Sequence, residues 1–188
     1  MRVLFLDIDG VLNAEVDFKH PNGAMKKHAP RLRTTDGETY NGISQPRVRR
    51  LARICEETGA KIVLISSWKA GYEDYVHGRP DNHIGRYLAN ALSRKGLHVI
   101  DSTFRHEHNW ACRAPAILKW IEEWDKKNPD DPVRGLAILD DEDFQYVSYG
   151  LGEFWVKTSY EGKDGGLNDK EADEAIAAIR RGETPFVG

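Results

Sequence analysis

Two carboxylates one residue apart, Asp7 and Asp9, close an apolar run and are followed at once by a glycine, in Val3-Leu-Phe-Leu-Asp7-Ile-Asp9-Gly10-Val-Leu12-Asn13. The apolar run reads as a buried strand, and Gly10 permits the turn that ends it. In α/β sheets ligands bind outside the carboxyl ends of the strands, so acids placed there sit on a rigid edge facing a crevice. The turn at Gly10 lets the two acids take different chemical roles. The plain alternative is an acidic strand cap followed by a turn, since Asp and Gly are common turn formers.

Two further apolar runs end the same way. Lys61-Ile-Val-Leu-Ile65 runs into Ser66-Ser67-Trp68, and Gly135-Leu-Ala-Ile-Leu139 runs into Asp140-Asp141-Glu142-Asp143. Three strands thus end in polar chemistry. Between them, apolar residues recur at helical spacing at Val48, Leu51, Ala52 and Cys55, at Ile84, Leu88, Ala91 and Leu92, at Ala116, Ile117, Trp120, Ile121 and Trp124, and at Ala172, Ala175, Ile176 and Ile179. Short strands are expected at 97–100 and 154–157, in addition to 3–7, 61–65 and 136–139. The pattern predicts a Rossmann-like α/β fold: a parallel sheet of about five strands flanked by helices. Trp120 and Trp124 read as packing residues rather than stacking platforms.

The order of these features resembles the haloacid dehalogenase-like (HAD) phosphohydrolase superfamily: Asp-x-Asp-Gly, an apolar strand ending in Ser, a helix-borne cation, then an apolar strand ending in Asp-Asp. The resemblance covers nearly the whole chain. Phe154-Trp-Val-Lys-Thr158, Gly166-Leu-Asn-Asp169 and Ile65-Ser-Ser-Trp68 narrow it to the small HAD domains of RNA-repair proteins. The resemblance implies a magnesium-dependent phosphatase that hydrolyses phosphate monoesters through an aspartyl phosphate. Asp7 is then the nucleophile, and Asp9 protonates the leaving oxygen before deprotonating the attacking water. Metal ligation falls to Asp7, the backbone carbonyl of Asp9 and the acid pair, with Asp141 aligning better than Asp140. Ser66 takes the position of the hydroxyl that bonds phosphoryl oxygens, with Ser67 as a substitute and Gly10 in the substrate-binding turn. Arg113 is the favoured phosphate-binding cation, because it precedes its helix while Lys119 lies two turns in. The family more often has Lys, but Arg can hold two phosphate oxygens at once.

Composition fits an enzyme of one domain. The chain has 188 residues, 40% hydrophobic and 30% charged, enough for a sizeable core and short for two ordinary domains. A formal charge of −3 gives no global attraction to polyanions, so a nucleic-acid contact needs a local patch. The only cysteines, Cys55 and Cys112, form no metal or redox motif. A core strand at the N-terminus, without a basic leader or a long apolar run, gives the expectation of a cytoplasmic protein with no membrane partner.

Residues 14–45 form a polar insertion directly after the two acids, expected as a small cap. Its cluster of His20, Lys26, Lys27, His28, Arg31 and Arg33 makes Lys26 and Lys27 candidates for holding substrate phosphates, with Tyr72 or Tyr75 stacking a base. Residues 69–82 are expected as a second excursion over the same crevice. The substrate is then a nucleotide or a nucleic-acid end. The alternatives are a small phosphorylated metabolite and a catalytically inactive HAD-like binding module. A receiver domain is disfavoured because its acceptor Asp follows a central strand rather than the first. No glycine-rich loop with Lys and Ser or Thr supports a kinase, and the acid at position 9 favours phosphoester cleavage over dehalogenation. Oligomeric state is not legible.

Overall fold

Side chains alternate across a strand, and the first strand shows what that alternation builds. Val3 and Phe5 enter one hydrophobic cluster while Leu4 and Leu6 enter another, all four fully buried. A strand buried on both faces must be covered by a layer on each side. The computed structural model describes residues 1–33, 37, 39–79, 83–103 and 113–182. Along the chain it has β1 (Arg2–Leu6), α1 (Glu15–Phe18), β2 (Arg31–Arg33), β3 (Thr39–Asn41), α2 (Gln45–Thr58), β4 (Lys61–Leu64), α3 (Lys69–Val76), α4 (His83–Ser93), β5 (Val99–Ser102), α5 (Arg113–Lys127), β6 (Gly135–Asp140), β7 (Trp155–Lys157) and α6 (Asp169–Arg181).

The main sheet is five-stranded and parallel, in the order β5-β4-β1-β6-β7. Helices α2, α4 and α6 cover the face that carries Leu4 and Leu6, through Val48, Leu51, Leu88, Ala175 and Ile179. Helix α5 covers the other face with Ala114, Ile117 and Trp120, whose ring meets Phe5 edge-on at 5.5 Å. Trp124 stacks on Trp120 at 5.4 Å, so both indoles pack rather than present a platform. This is the expected α/β architecture. From β1 the chain runs out to β4 and β5 and then returns to β6 on the other side, which opens a crevice at the carboxyl ends beside β1.

Register brings the strand ends together. Leu6 pairs with Leu64 on one side and with Leu139 on the other, and the ladder continues as Asp7 N–H donates to Leu139 O at 2.9 Å and Ile65 N–H to Leu6 O at 3.0 Å. Asp7, Ser66 and Asp140 therefore leave the sheet at one edge. Asp140 in turn pairs with Lys157, which brings the segment after β7 to the same edge.

The insertion after β1 holds the short α1 and the antiparallel pair β2-β3. Arg47 of α2 anchors it: nearly buried, it pairs with Asp17 of α1 at 2.8 Å and donates to Leu167 O at 3.3 Å. Residues 69–82 depart from the expected excursion, because Lys69–Val76 is helical. Helix α3 crosses α4 so closely that a Cβ on Gly85 would lie 2.1 Å from Gly71 O, a contact that two glycines allow and that apolar periodicity does not reveal. The strand expected at 97–100 lies at Val99–Ser102. Asp36, Pro80, Asn82 and Cys112 lie outside the described residues. Among the described residues no helix is long and apolar enough to cross a membrane.

Candidate active site

A cavity of about 540 Å³ opens at the carboxyl edge of the sheet, and Asp7, Asp9, Ser67, Arg113, Asp141 and Lys157 all line it. Asp7 is nearly buried. Its Oδ2 meets Arg113 Nη1 at 3.1 Å, while its Oδ1 is buried with no hydrogen-bond partner among the described residues. Burial raises the Asp7 pKa above the usual carboxylate value, opposed first by the charge of Arg113 and then by the Ser66 hydroxyl. Arg113 also pairs with Asp140 Oδ2 at 2.5 Å, and its guanidinium lies 3.9 Å from the centre of the Phe144 ring. Burial alone would lower the Arg113 pKa, but Asp7 and Asp140 outweigh it and hold the group cationic.

Asp140 and Asp141 differ although they are adjacent. Asp140 is fully buried, and its Oδ2 accepts from Arg113 and from the Tyr146 hydroxyl at 2.6 Å, while its Oδ1 accepts from Glu142 N–H at 3.2 Å. Asp141 is half-buried, lines the cavity and packs directly on Gly10. Burial and then the Asp7 charge push the Asp140 carboxyl up to about 7 and that of Asp141 up to about 6. Gly10 has φ +73°, and a Cβ there would sit 2.3 Å from Asp141 Cγ, so a glycine is required for both conformation and space. Its N–H donates to Asn13 Oδ1 at 3.2 Å; Gly10 does not line the cavity.

Asp9 is held quite differently from Asp7. Asn13 Nδ2 donates to its Oδ1 at 2.8 Å, and Trp68 Nε1 donates to its Oδ2 at 2.9 Å. Two neutral donors orient the carboxylate, and among the described residues no ion pair holds it. Ser66 is fully buried beneath the floor next to Asp7, whereas Ser67 is exposed at the cavity wall.

The structure does not bring the other basic candidates to this cavity. Lys119 is exposed on α5, about 9 Å along the helix axis from Arg113 at 1.5 Å per residue. Lys26 donates to Val16 O at 2.6 Å within the insertion, and Lys27 is exposed; neither lines the cavity. Tyr72 packs on the core and donates to Val99 O at 3.2 Å, and Tyr75 lies beside it, so neither forms part of the wall. Nearness in sequence to Asp9 does not place these lysines in the cavity wall.

Several residues at the site had no assigned role in the sequence. Asn13 stands four after Asp9 and Trp68 two after Ser66, close enough to the motifs to have been flagged by spacing. Tyr146 serves Asp140 from a segment with no periodic signal. The stretch after β7 supplies Lys157, Thr158 and Tyr160 to the wall; Thr158 is nearly buried, with an Oγ1 lacking a partner among the described residues. Tyr160 accepts from Asn41 Nδ2 at 2.7 Å, which ties β3 to this stretch across the site.

The donor set suits a hard divalent cation. Asp7, Asp140 and Asp141 each offer an oxygen, all within 4.8 Å of one another. Among the described residues five carboxylates line the cavity against two cations, Arg113 and Lys157, a balance that repels an anionic substrate unless a cation is also bound. The unpartnered Asp7 Oδ1 is an available ligand atom. A family model described as the HAD domain in Swiss Army Knife RNA repair proteins matches residues 3–172. No curated protein and no solved structure matches the chain.

Proposed function

Since the chain belongs to the family of HAD domains found in Swiss Army Knife RNA repair proteins, whose function is of the phosphohydrolase type, we propose that it is a magnesium-dependent phosphomonoesterase working through an aspartyl phosphate on Asp7. The observation that carries this reading is the unequal treatment of two neighbouring acids. Among the described residues, Asp7 is buried against Arg113 with one oxygen unpartnered, and Asp9 is held by Asn13 and Trp68. A nucleophile and a proton carrier need such different settings.

In the proposed reaction Asp7 attacks phosphorus, the bond to the leaving oxygen breaks, and Asp9 gives that oxygen its proton. Asp9, now ionised, takes a proton from water as the water attacks the aspartyl phosphate, which releases inorganic phosphate and restores both acids. Arg113 steadies the charge of Asp7 and of phosphoryl oxygens, and Ser67 offers the exposed hydroxyl at the wall. Magnesium, held by Asp7, Asp141 and the Asp9 carbonyl with Asp140 behind them, would offset the negative charge shared by nucleophile and phosphate.

The substrate reading is a nucleotide or a nucleic-acid end. A small phosphorylated substrate is favoured by one observation: Lys26 and Lys27 do not line the cavity, so among the described residues these two lysines offer no basic track from it for a long polyanion. The test is a phosphate-release screen of mononucleotides, phosphorylated oligonucleotides and sugar phosphates, with and without magnesium, run beside Asp7→Asn. Release that needs both magnesium and Asp7 is the expected result. Release unaffected by Asp7→Asn overturns the proposal.

A further inference from the structure

A second cavity, of about 390 Å³, adjoins the first and shares Asp9 and Ser67 with it. Its walls come from three places: Leu32, Tyr40 and Asn41 of the β2-β3 pair, Trp68 and Ala70 at the start of α3, and Ile84 of α4. Apart from Asp9, no charged side chain lines it among the described residues. Tyr40 is 52% exposed, an aromatic ring with much of its surface in water. Asn41 spends its amide N–H on Tyr160 and keeps a carbonyl oxygen as an acceptor.

The position of this recess matters as much as its lining. It meets the first cavity at Asp9, the residue proposed to protonate the departing oxygen, so the group that departs lies on this side. A sugar alone, polar all round, would leave Leu32, Tyr40 and Ile84 unmatched. A run of backbone phosphates would find no cation among the described lining residues. A planar, uncharged ring with apolar faces and a polar edge matches the lining: faces against Tyr40 and Ile84, edge toward Asn41.

Resting on the phosphatase reading for what enters the first cavity, we propose that this recess is the leaving-group subsite and that it takes a nucleobase, with Tyr40 as the stacking residue. The insertion thereby selects substrate by an aromatic surface rather than by its lysines. A base that carries an exocyclic amino group can donate to the Asn41 carbonyl oxygen.

The experiment compares adenosine monophosphate with ribose 5-phosphate on wild type, Tyr40→Ala, Tyr40→Phe and Ala70→Trp. It measures kcat/KM for each, and in parallel the binding of adenosine monophosphate to the same recess changes built into Asp7→Asn, by calorimetry. Tyr40→Ala should lower the nucleotide-to-sugar preference at least about tenfold, the scale of one lost base stack. Ala70→Trp should do the same by filling the recess, and Tyr40→Phe should retain the preference. If Tyr40→Ala and Ala70→Trp leave both the preference and the binding unchanged, or weaken both substrates equally, the recess is not a base site. If no substrate releases phosphate yet binding still falls in Tyr40→Ala and Ala70→Trp, the recess stands and the phosphatase reading fails.

Discussion

The indole Nε1 of Trp68 donates to Asp9 Oδ2 at 2.9 Å, joining the end of the β4 segment to the turn after β1. The bond passes between strands that are neighbours in the sheet but 59 residues apart in the chain. Among the described residues no ion pair holds Asp9, and this donor and Asn13 fix its orientation.

Trp68→Phe should therefore lower kcat while keeping an aromatic ring at the recess wall. A hydrogen bond to a charged group contributes about 1.5–3 kcal/mol, so turnover is expected to fall roughly tenfold to a hundredfold. Steady-state kinetics check this, and an unchanged kcat would mean that Trp68 does not position Asp9.

Asp7→Asn should abolish turnover and leave the fold intact. A lost covalent nucleophile removes the path, with an expected cost of several orders of magnitude, and the neutral isostere relieves the repulsion that, after burial, raises the pKa of Asp140 and Asp141. Circular dichroism and phosphate release together decide it; more than about a tenth of the wild-type rate contradicts the assignment.

Without metal, stability should fall as pH rises from about 4 to about 7. Asp140 and Asp141 bind protons more tightly folded than unfolded, with folded values of about 7 and about 6 against 3.8. The folded state thus holds the extra protons in that window, and their stabilising effect is lost as pH passes the folded values. Magnesium requires the ionised acids, so it should raise the melting temperature more at pH 8 than at pH 5. Equal magnesium shifts at both pH values would remove the acid cluster as the binding site.

Gly85→Ala should destabilise the protein by about 1–3 kcal/mol, the usual range for overpacking. The added Cβ would fall 2.1 Å from Gly71 O and 2.7 Å from Tyr75 Cβ, forcing α3 and α4 apart. Because α3 begins directly after Trp68, some loss of kcat should accompany the change. Denaturant unfolding measures the first effect, and a stability equal to wild type would show that the two helices separate freely.

The sheet and the acids at its edge are legible along the chain. Strands such as Leu136-Ala-Ile-Leu139 carry their own signal, because a strand covered on both faces is continuously apolar, and the polar residues that end it must lie at the carboxyl edge. Asp7, Asp9 and Asp141 were legible for that local reason, and Arg113 because it opens a strongly periodic helix. What the side chains do to one another was decided only in the tertiary structure. Register set Asp140 behind the edge, with Arg113 and Tyr146, and left Asp141 facing the cavity. Residues 69–76 form a helix that packs on α4 through a close approach of Gly71 and Gly85. The fold of the insertion carried Tyr40 and Asn41 to the site and left Lys26 and Lys27 away from it. Charge and spacing can be read along a chain, whereas which residues share a cavity depends on contacts between segments distant in sequence.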